Sequence, residues 1–396
     1  NKPLWSVGGS WNIYKEKFFQ ADFVDMLKLR ASYGIGGNIG RNTAPYLIAS
    51  YYDSSLVDGM AGAVNTPPNK DIRWEKTTTV NVGVDFALFR HRLSGTIEYY
   101  NKYSVDLLAA INGSPTQGFG YTTLMTNNGK MVNRGVEITL SGEIIRQKDF
   151  SWNASLLYAF NRNKVKHISV QPSLWDSRIS MPTSYPMVGK PLYGIYAYKW
   201  AGLNENGDPQ VYDAENNVTS GPARDYHALV YCGTTVPIHN ASLTNVLRYK
   251  GFEFSAMLIL DAGHKLRSSN IPSINMSNGR ITSTAKGIVD RWTQPGDVTD
   301  VPRLLFSNDT ENFNTHRTEL YRYSDLFVYD ASNIRLSNIS LAYRVPAHWC
   351  KKISLSGARL QFNVENVATF AFDSKANYDL GGKVKPNYVW GLYLNF

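Results

Sequence analysis

Several short motifs in this sequence could do chemistry, and their spacing favours recognition over catalysis. The seven histidines form no HExxH or other metal-spaced pair, and no GxSxG places a serine on a strand-to-helix elbow. The run "GIGGNIG" (34–40) invites comparison with a phosphate loop. Its glycines do not make GxGxxG and no amphipathic helix follows, so it reads as the glycine-rich exit of a strand. Cys232 and Cys350 stand without CxxC or histidine partners, and the strand placement below, which puts them on opposite sides of a membrane, leaves two free or buried cysteines as the expectation. The run "NENGDPQVYD" (204–213) offers oxygen ligands at alternate positions, as calcium loops do, but lacks the glycine placement and terminal glutamate of an EF-hand. A solvated turn is the default there, and Ca2+ is the single cofactor these patterns leave open. No enzymatic constellation is expected.

Aromatic residues remain, gathered in segments without regular pattern. Trp175, Tyr196, Tyr198 and Trp200 fall in one such segment, with Tyr51, Tyr52, Trp292, Tyr321 and Tyr323 in others. Sugars stack their C–H faces on such rings, and peptides use the same surfaces with backbone hydrogen bonds, so these residues are the ligand candidates.

The elements that must position them alternate. In "RGVEITLSGEIIRQKDFSWNASLLYAFN" (134–161), Val136, Ile138 and Leu140 oppose Glu137, Thr139 and Ser141. After the polar "RQKD", Trp152, Ala154, Leu156, Tyr158 and Phe160 oppose Asn153, Ser155, Leu157, Ala159 and Asn161. This is the period of a β-hairpin. Each arm sustains it for about nine residues or more, beyond the usual ~5–6 of soluble strands and near the ~9–11 a tilted strand needs to cross a bilayer. The same reading gives about eleven long strands, near 4–13, 26–35, 74–89, 92–107, 132–145, 150–163, 238–249, 251–263, 333–345, 357–368 and 386–396. Val80, Val82, Val84, Phe86 and Leu88 are expected to face lipid, and Asp85, Glu98, Glu137 and Glu143 the lumen.

Short or medium turns alternate with long segments at 36–73, 108–131, 164–237, 264–332 and 369–385, the asymmetry of an outer-membrane barrel with short periplasmic turns and long extracellular loops. The composition agrees: 13% aromatic and 18% charged residues suit a β-rich protein, and a net charge of +9 spread without a basic run gives no nucleic-acid footprint. Eleven is an odd count, whereas bacterial single-chain barrels are even. Further strands are therefore expected upstream of Asn1, the more so because Trp5, Val7 and Trp11 already alternate with Ser6, Gly8 and Ser10.

With these strands in place, the chain resembles the SusC/RagA-type TonB-dependent transporters of the Gram-negative outer membrane. The resemblance runs through "LKLRASYGIGGNIG" (27–40), "IRWEKTTTVNVGVDFALFRHRLSGTIEYYNKYSVDLL" (72–108), "NNGKMVNRGVEITL" (127–140), "VGKPLYGIYAYKWAGLNENGDPQVYD" (188–213), "YKGFEFSAMLILDAGHKLR" (249–267) and "DASNIRLSNISLAYRVP" (330–346), in the family's order. The ending "GLYLNF" resembles the terminal signal read by the barrel-assembly machinery, carried by Gly391, Leu394 and Phe396, although Val389 stands where a polar residue is usual.

The resemblance implies an all-β transmembrane antiparallel barrel of which residues 1–396 form the C-terminal half, about 11 of 22 strands, with the plug absent. It further implies import of an oligosaccharide or oligopeptide. The implied partners are a SusD-like surface lipoprotein as lid, an N-terminal barrel and plug portion, TonB–ExbB–ExbD acting through that portion, and outer-membrane lipid. A passive porin and a surface receptor or adhesin are the competing readings.

Overall fold

The computed structural model describes residues 3–40, 46–54, 59–66, 68–112, 116, 123–170, 172, 177–221, 225–277, 280–304, 315–381 and 385–396. Its frame is one 11-stranded sheet in which every strand pairs with its sequence neighbours. The strands are β1 (Trp5–Asn12), β2 (Val24–Asn38), β3 (Glu75–Leu88), β4 (Leu93–Asn112), β5 (Thr123–Arg146), β6 (Phe150–His167), β7 (His239–Tyr249), β8 (Phe252–Ala262), β9 (Asn333–Arg344), β10 (Gly357–Ala371) and β11 (Asn387–Asn395). All ten pairings are antiparallel. All eleven expected strands are present, and β1 and β11 form the two edges of the sheet.

Register turns the sequence alternation into two continuous faces. Leu29, Val84, Ile97, Ile138 and Tyr158 follow one another across β2 to β6 as direct partners, and so lie on one face. Leu243, Leu258, Leu336 and Ala368 continue it across β7 to β10. The opposite face carries Lys28, Asp85, Thr96 and Thr139 in the same succession. Aromatic pairs mark both ends of the apolar face. Phe23 with Phe89 (5.9 Å) and Phe252 with Tyr343 (4.5 Å) lie at the short-turn end. Trp5 with Tyr33 (5.5 Å) lies towards the long-loop end. Such girdles sit where a barrel wall meets the bilayer interfaces. On the other face the Tyr100 ring covers Gly135, where an added Cβ would collide with it.

One expectation is corrected in extent. The segment 108–131 was expected as a loop, but β4 and β5 have 20 and 24 residues and continue through most of it. Ile111 pairs with Leu124 and Ala109 with Thr126, past a register shift near Leu107. Arg73 pins the base of this extension: it meets Asp106 at 2.7 Å, and its backbone exchanges two hydrogen bonds with the Asn127 side chain. The segment 36–73 likewise holds a hairpin, Ile48–Ser54 with Gly59–Thr66. Among the described residues, no helix is long and apolar enough to cross a membrane.

The facing generates a direct test. Val84→Arg or Leu140→Arg should each cost about 2–4 kcal/mol of wall stability at mid-membrane, whereas Thr139→Arg, on the polar face, should be tolerated. Denaturant unfolding of the folded protein in lipid measures this, and equal tolerance at the three positions would contradict the facing.

Candidate functional site

The polar face of the wall carries two charge clusters. Arg30 on β2 forms a two-pronged pair with Asp85 on β3 (2.8 and 3.0 Å) and extends to Glu98 on β4 (3.4 Å). Thr96 donates to Asp85 at 3.0 Å, and Asn81 donates to Glu98. Glu98 and Glu137 are cross-strand partners, so without Arg30 this patch would set like charges side by side. Near the short-turn end, Glu253 on β8 bridges Arg248 on β7 (2.7 Å) and Arg359 on β10 (3.2 Å). Asp85, Glu98, Glu137 and Glu143 thus share the face opposite Val84 and Leu140, as alternation predicts.

Beyond the long-loop end, segments from 164–237 and 264–332 fold together into a cap with its own core. Tyr196, Tyr198, Val211, Ala228, Leu229 and Leu320 form that core, with Trp200, Tyr226, Tyr231 and Tyr323 packed against it. The antiparallel pair of Gly194–Tyr198 with Leu229–Thr234 supplies much of it, and Tyr198 bridges to Ser324. Arg178 is buried between the Tyr196 and Tyr226 rings, 5.7 and 4.9 Å from their centroids, and burial pulls its guanidinium below the ordinary value.

The ligand candidates separate on this geometry. Tyr196 and Tyr198 are 1% and 0% exposed, so their rings are core and present no free face to a ligand. Of the ligand candidates, these two are placed in the core of the cap rather than on its surface. Trp200 is half-buried: its Nε1 donates to Asp300 at 3.0 Å and its ring lies 5.7 Å from Tyr321. Trp175 lies outside the described residues. Tyr51 and Tyr52 stand on the exposed hairpin, 71% and 52% accessible.

The segment 204–213 forms a hairpin turn organised by its own atoms. Asn204 Oδ1 accepts from the backbone of Asn206 and Asp208, both at 2.9 Å. Gly207 takes a φ of +74° beneath the Trp292 ring, a place a side chain would not fit. The Asp208 carboxylate, the oxygen pair a cation would want, accepts instead from Arg303 (3.1 and 3.0 Å) and Arg317 (2.6 Å). Burial raises the Asp208 carboxyl, but these hydrogen bonds outweigh it and leave the group below the usual carboxylate range. No cluster of three His, Cys, Asp or Glu able to hold a metal occurs among the described residues. The arginine partners, about a hundred positions downstream, carried no local sequence signal.

Cys232 lies in the cap and Cys350 in the short helix Ala347–Lys351 between β9 and β10, both free; burial pushes the Cys232 thiol up to about 11. Gly391 and Leu394 lie on β11, where Leu392 and Leu394 share the apolar face with Trp390, and Phe396 ends the chain.

Asp208 is the cap's electrostatic hinge-pin, which makes it testable. Asp208→Asn leaves Arg317, only 14% exposed, without its carboxylate and should cost about 2–4 kcal/mol of local stability. The cap should then be cut faster in limited proteolysis while the wall stays resistant. Because the folded pKa is depressed, the wild-type contribution is complete above the unfolded carboxylate value and fades as pH falls through the folded one. Acid should therefore loosen the wild-type cap, and loosen the Asn variant less, since there only the other carboxyls held low, such as Asp225, Asp297 and Asp330, still titrate.

Comparison with known proteins agrees with this architecture. The family model described as TonB dependent receptor-like, beta-barrel, matches residues 1–367. TonB-dependent receptor P3 of Formosa agariphila is 26% identical, the match covering 99% of this chain and 40% of that protein. TonB-dependent receptor SusC of Bacteroides thetaiotaomicron is 25% identical over 91% of this chain and 36% of its own length. The chain thus spans about two fifths of the length of the relatives it matches. A solved structure of the RagAB peptide transporter superposes with a TM-score of 0.76 at 24% identity, over 99% of this chain and 43% of that one, and shares its fold. A lipid-facing, girdled antiparallel wall and a family match over most of its length lead to one conclusion: this chain belongs to the TonB-dependent receptor β-barrel family.

Proposed function

We propose that this chain forms the C-terminal part of the barrel wall, with its capture loops, of a TonB-dependent importer of an oligosaccharide or oligopeptide in the Gram-negative outer membrane. The observation that carries this reading is the open wall. Eleven strands pair in chain order, and β1 and β11 keep one edge each unpaired among the described residues. In lipid such an edge costs several kcal/mol for each unsatisfied backbone group, so further strands must close the barrel. These come from a longer chain or a second polypeptide. That portion also brings the plug, which meets the Arg30–Asp85–Glu98 and Arg248–Glu253–Arg359 clusters on the lumen face and links to TonB–ExbB–ExbD.

A SusD-like surface lipoprotein covers the loops as a lid. In support, the hairpin at 48–66 holds Tyr51 and Met60 in solvent, 71% and 68% exposed, an apolar surface suited to burial by a partner. The relatives support the transport reading by name: SusC is a TonB-dependent receptor and RagAB a peptide transporter. Residues Gly391, Leu394 and Phe396 present the terminal signal to the barrel-assembly machinery, and outer-membrane lipid is the solvent of the apolar face.

Energy coupling separates this reading from a porin or an adhesin. In a strain whose growth on a peptide or glycan requires this chain, loss of TonB should abolish uptake. Uptake that persists at wild-type rate would contradict an importer and favour a passive pore.

A further inference from the structure

Above the ends of β8 and β9, the cap holds a cleft of about 690 Å3 bounded by residues 267–273, 302–304 and the helix Thr315–Arg322. Four arginines line it, Arg267, Arg303, Arg317 and Arg322, and no carboxylate or amide side chain does so among the described residues. Two acids of the cap are engaged elsewhere. Asp208 holds Arg303 and Arg317, and Asp379 accepts from Ser268 (2.8 Å) and Ser269 (2.7 Å). Arg267 donates from Nη1 and Nη2 to backbone oxygens, those of Tyr196 (2.6 Å), Ser324 (3.3 Å) and Arg322 (3.4 Å), contacts that do not neutralise its charge. Arg322 is exposed at the mouth, 5.7 Å from the Tyr323 ring centroid.

Among the described residues this lining is cationic and offers no side-chain carboxylate. Sugar hydroxyls donate as well as accept, and would find acceptors here only on hydroxyl side chains and backbone. A carboxylate only accepts, and guanidinium forks match it. The rest of the lining divides between hydroxyl side chains, three serines, Thr318 and two tyrosines, and aliphatic ones, including Pro209, Ile271, Pro272 and Leu304, which suit the side chains of a peptide.

We propose that this cleft receives an acidic segment of an oligopeptide, with Arg322 at its mouth and Arg267 at its floor drawing in the carboxylates, and that anionic peptides are therefore the cargo the importer prefers. This rests on the importer reading above and names its substrate class.

The test uses the complete assembly purified from outer membranes in mild detergent, with three fluorescent probes: a glutamate-rich decapeptide, its glutamine counterpart, and an oligogalacturonate of matched charge. The glutamate peptide should bind about tenfold or more tightly than the glutamine peptide, an advantage that shrinks as salt rises. Arg322→Gln removes an exposed charge, and Thr318→Glu adds an opposing one at an exposed position beside it. Each should cut affinity for the glutamate peptide about tenfold and leave the glutamine peptide unchanged. Equal binding of the two peptides, indifference to both substitutions, or no binding would overturn the proposal, and tightest binding of the oligogalacturonate would overturn it in favour of an acidic glycan. Uptake in a strain lacking TonB is scored separately. Cleft binding as expected with TonB-independent uptake would remove the importer reading alone, and TonB-dependent uptake without acidic selectivity would remove the cleft assignment alone.

Discussion

Backbone hydrogen bonding in a solvent that offers none is the constraint on which the rest of this structure depends. A strand crossing hydrocarbon must satisfy its N–H and C=O groups on neighbouring strands. The ten antiparallel ladders from β1 to β11 do this for all but the two outer edges. Ladder geometry then dictates side-chain placement. Each strand sends alternate residues to opposite faces, and register carries each choice to the next strand, so Val84, Ile97 and Ile138 stay together while Asp85, Thr96 and Thr139 stay together. The lipid face, the lumen charges and the aromatic girdles follow from that one requirement.

The wall was legible in the sequence for the same reason. Lipid on one side and water or protein on the other imposes period two over long stretches, and no competing pattern obscures it. What alternation could not reveal was where a strand stops alternating usefully but continues to pair. β4 and β5 run on through the expected loop at 108–131, held by ladder bonds and by Arg73 with Asp106 and Asn127. The cap was harder. Tyr196 and Tyr198 look in sequence like rings offered to a ligand, yet all five residues of Gly194–Tyr198 are buried. A short apolar run without alternation is the mark of a strand covered on both faces, and "GIYAY" carried that mark. The charge pairs of the cap had no such signature, because Asp208 meets Arg303 and Arg317 at separations of 95 and 109 residues.

Wall and cap also solve different problems. The wall gathers its ion pairs on one face, where Arg30 and Glu253 each hold more than one partner of opposite charge. The cap lies outside hydrocarbon and builds an aromatic core. It uses its charges to tie segments distant in sequence, Asp208 joining the 204–213 turn to residues 303 and 317 and Asp379 joining 268–269 to the segment before β11. An arrangement of this kind holds segments distant in sequence in fixed relation beyond the end of the wall.

The central claim is that the wall is an open arc which other strands complete. Hydrogen–deuterium exchange along β1 and β11 in the native outer-membrane assembly tests it most directly. If further strands close the barrel, amides on both edges should exchange as slowly as those of β2 and β10 beside them. Fast exchange confined to the outward edges of β1 and β11, with the interior ladders protected, would mean that the edges remain unpaired, and would contradict the account.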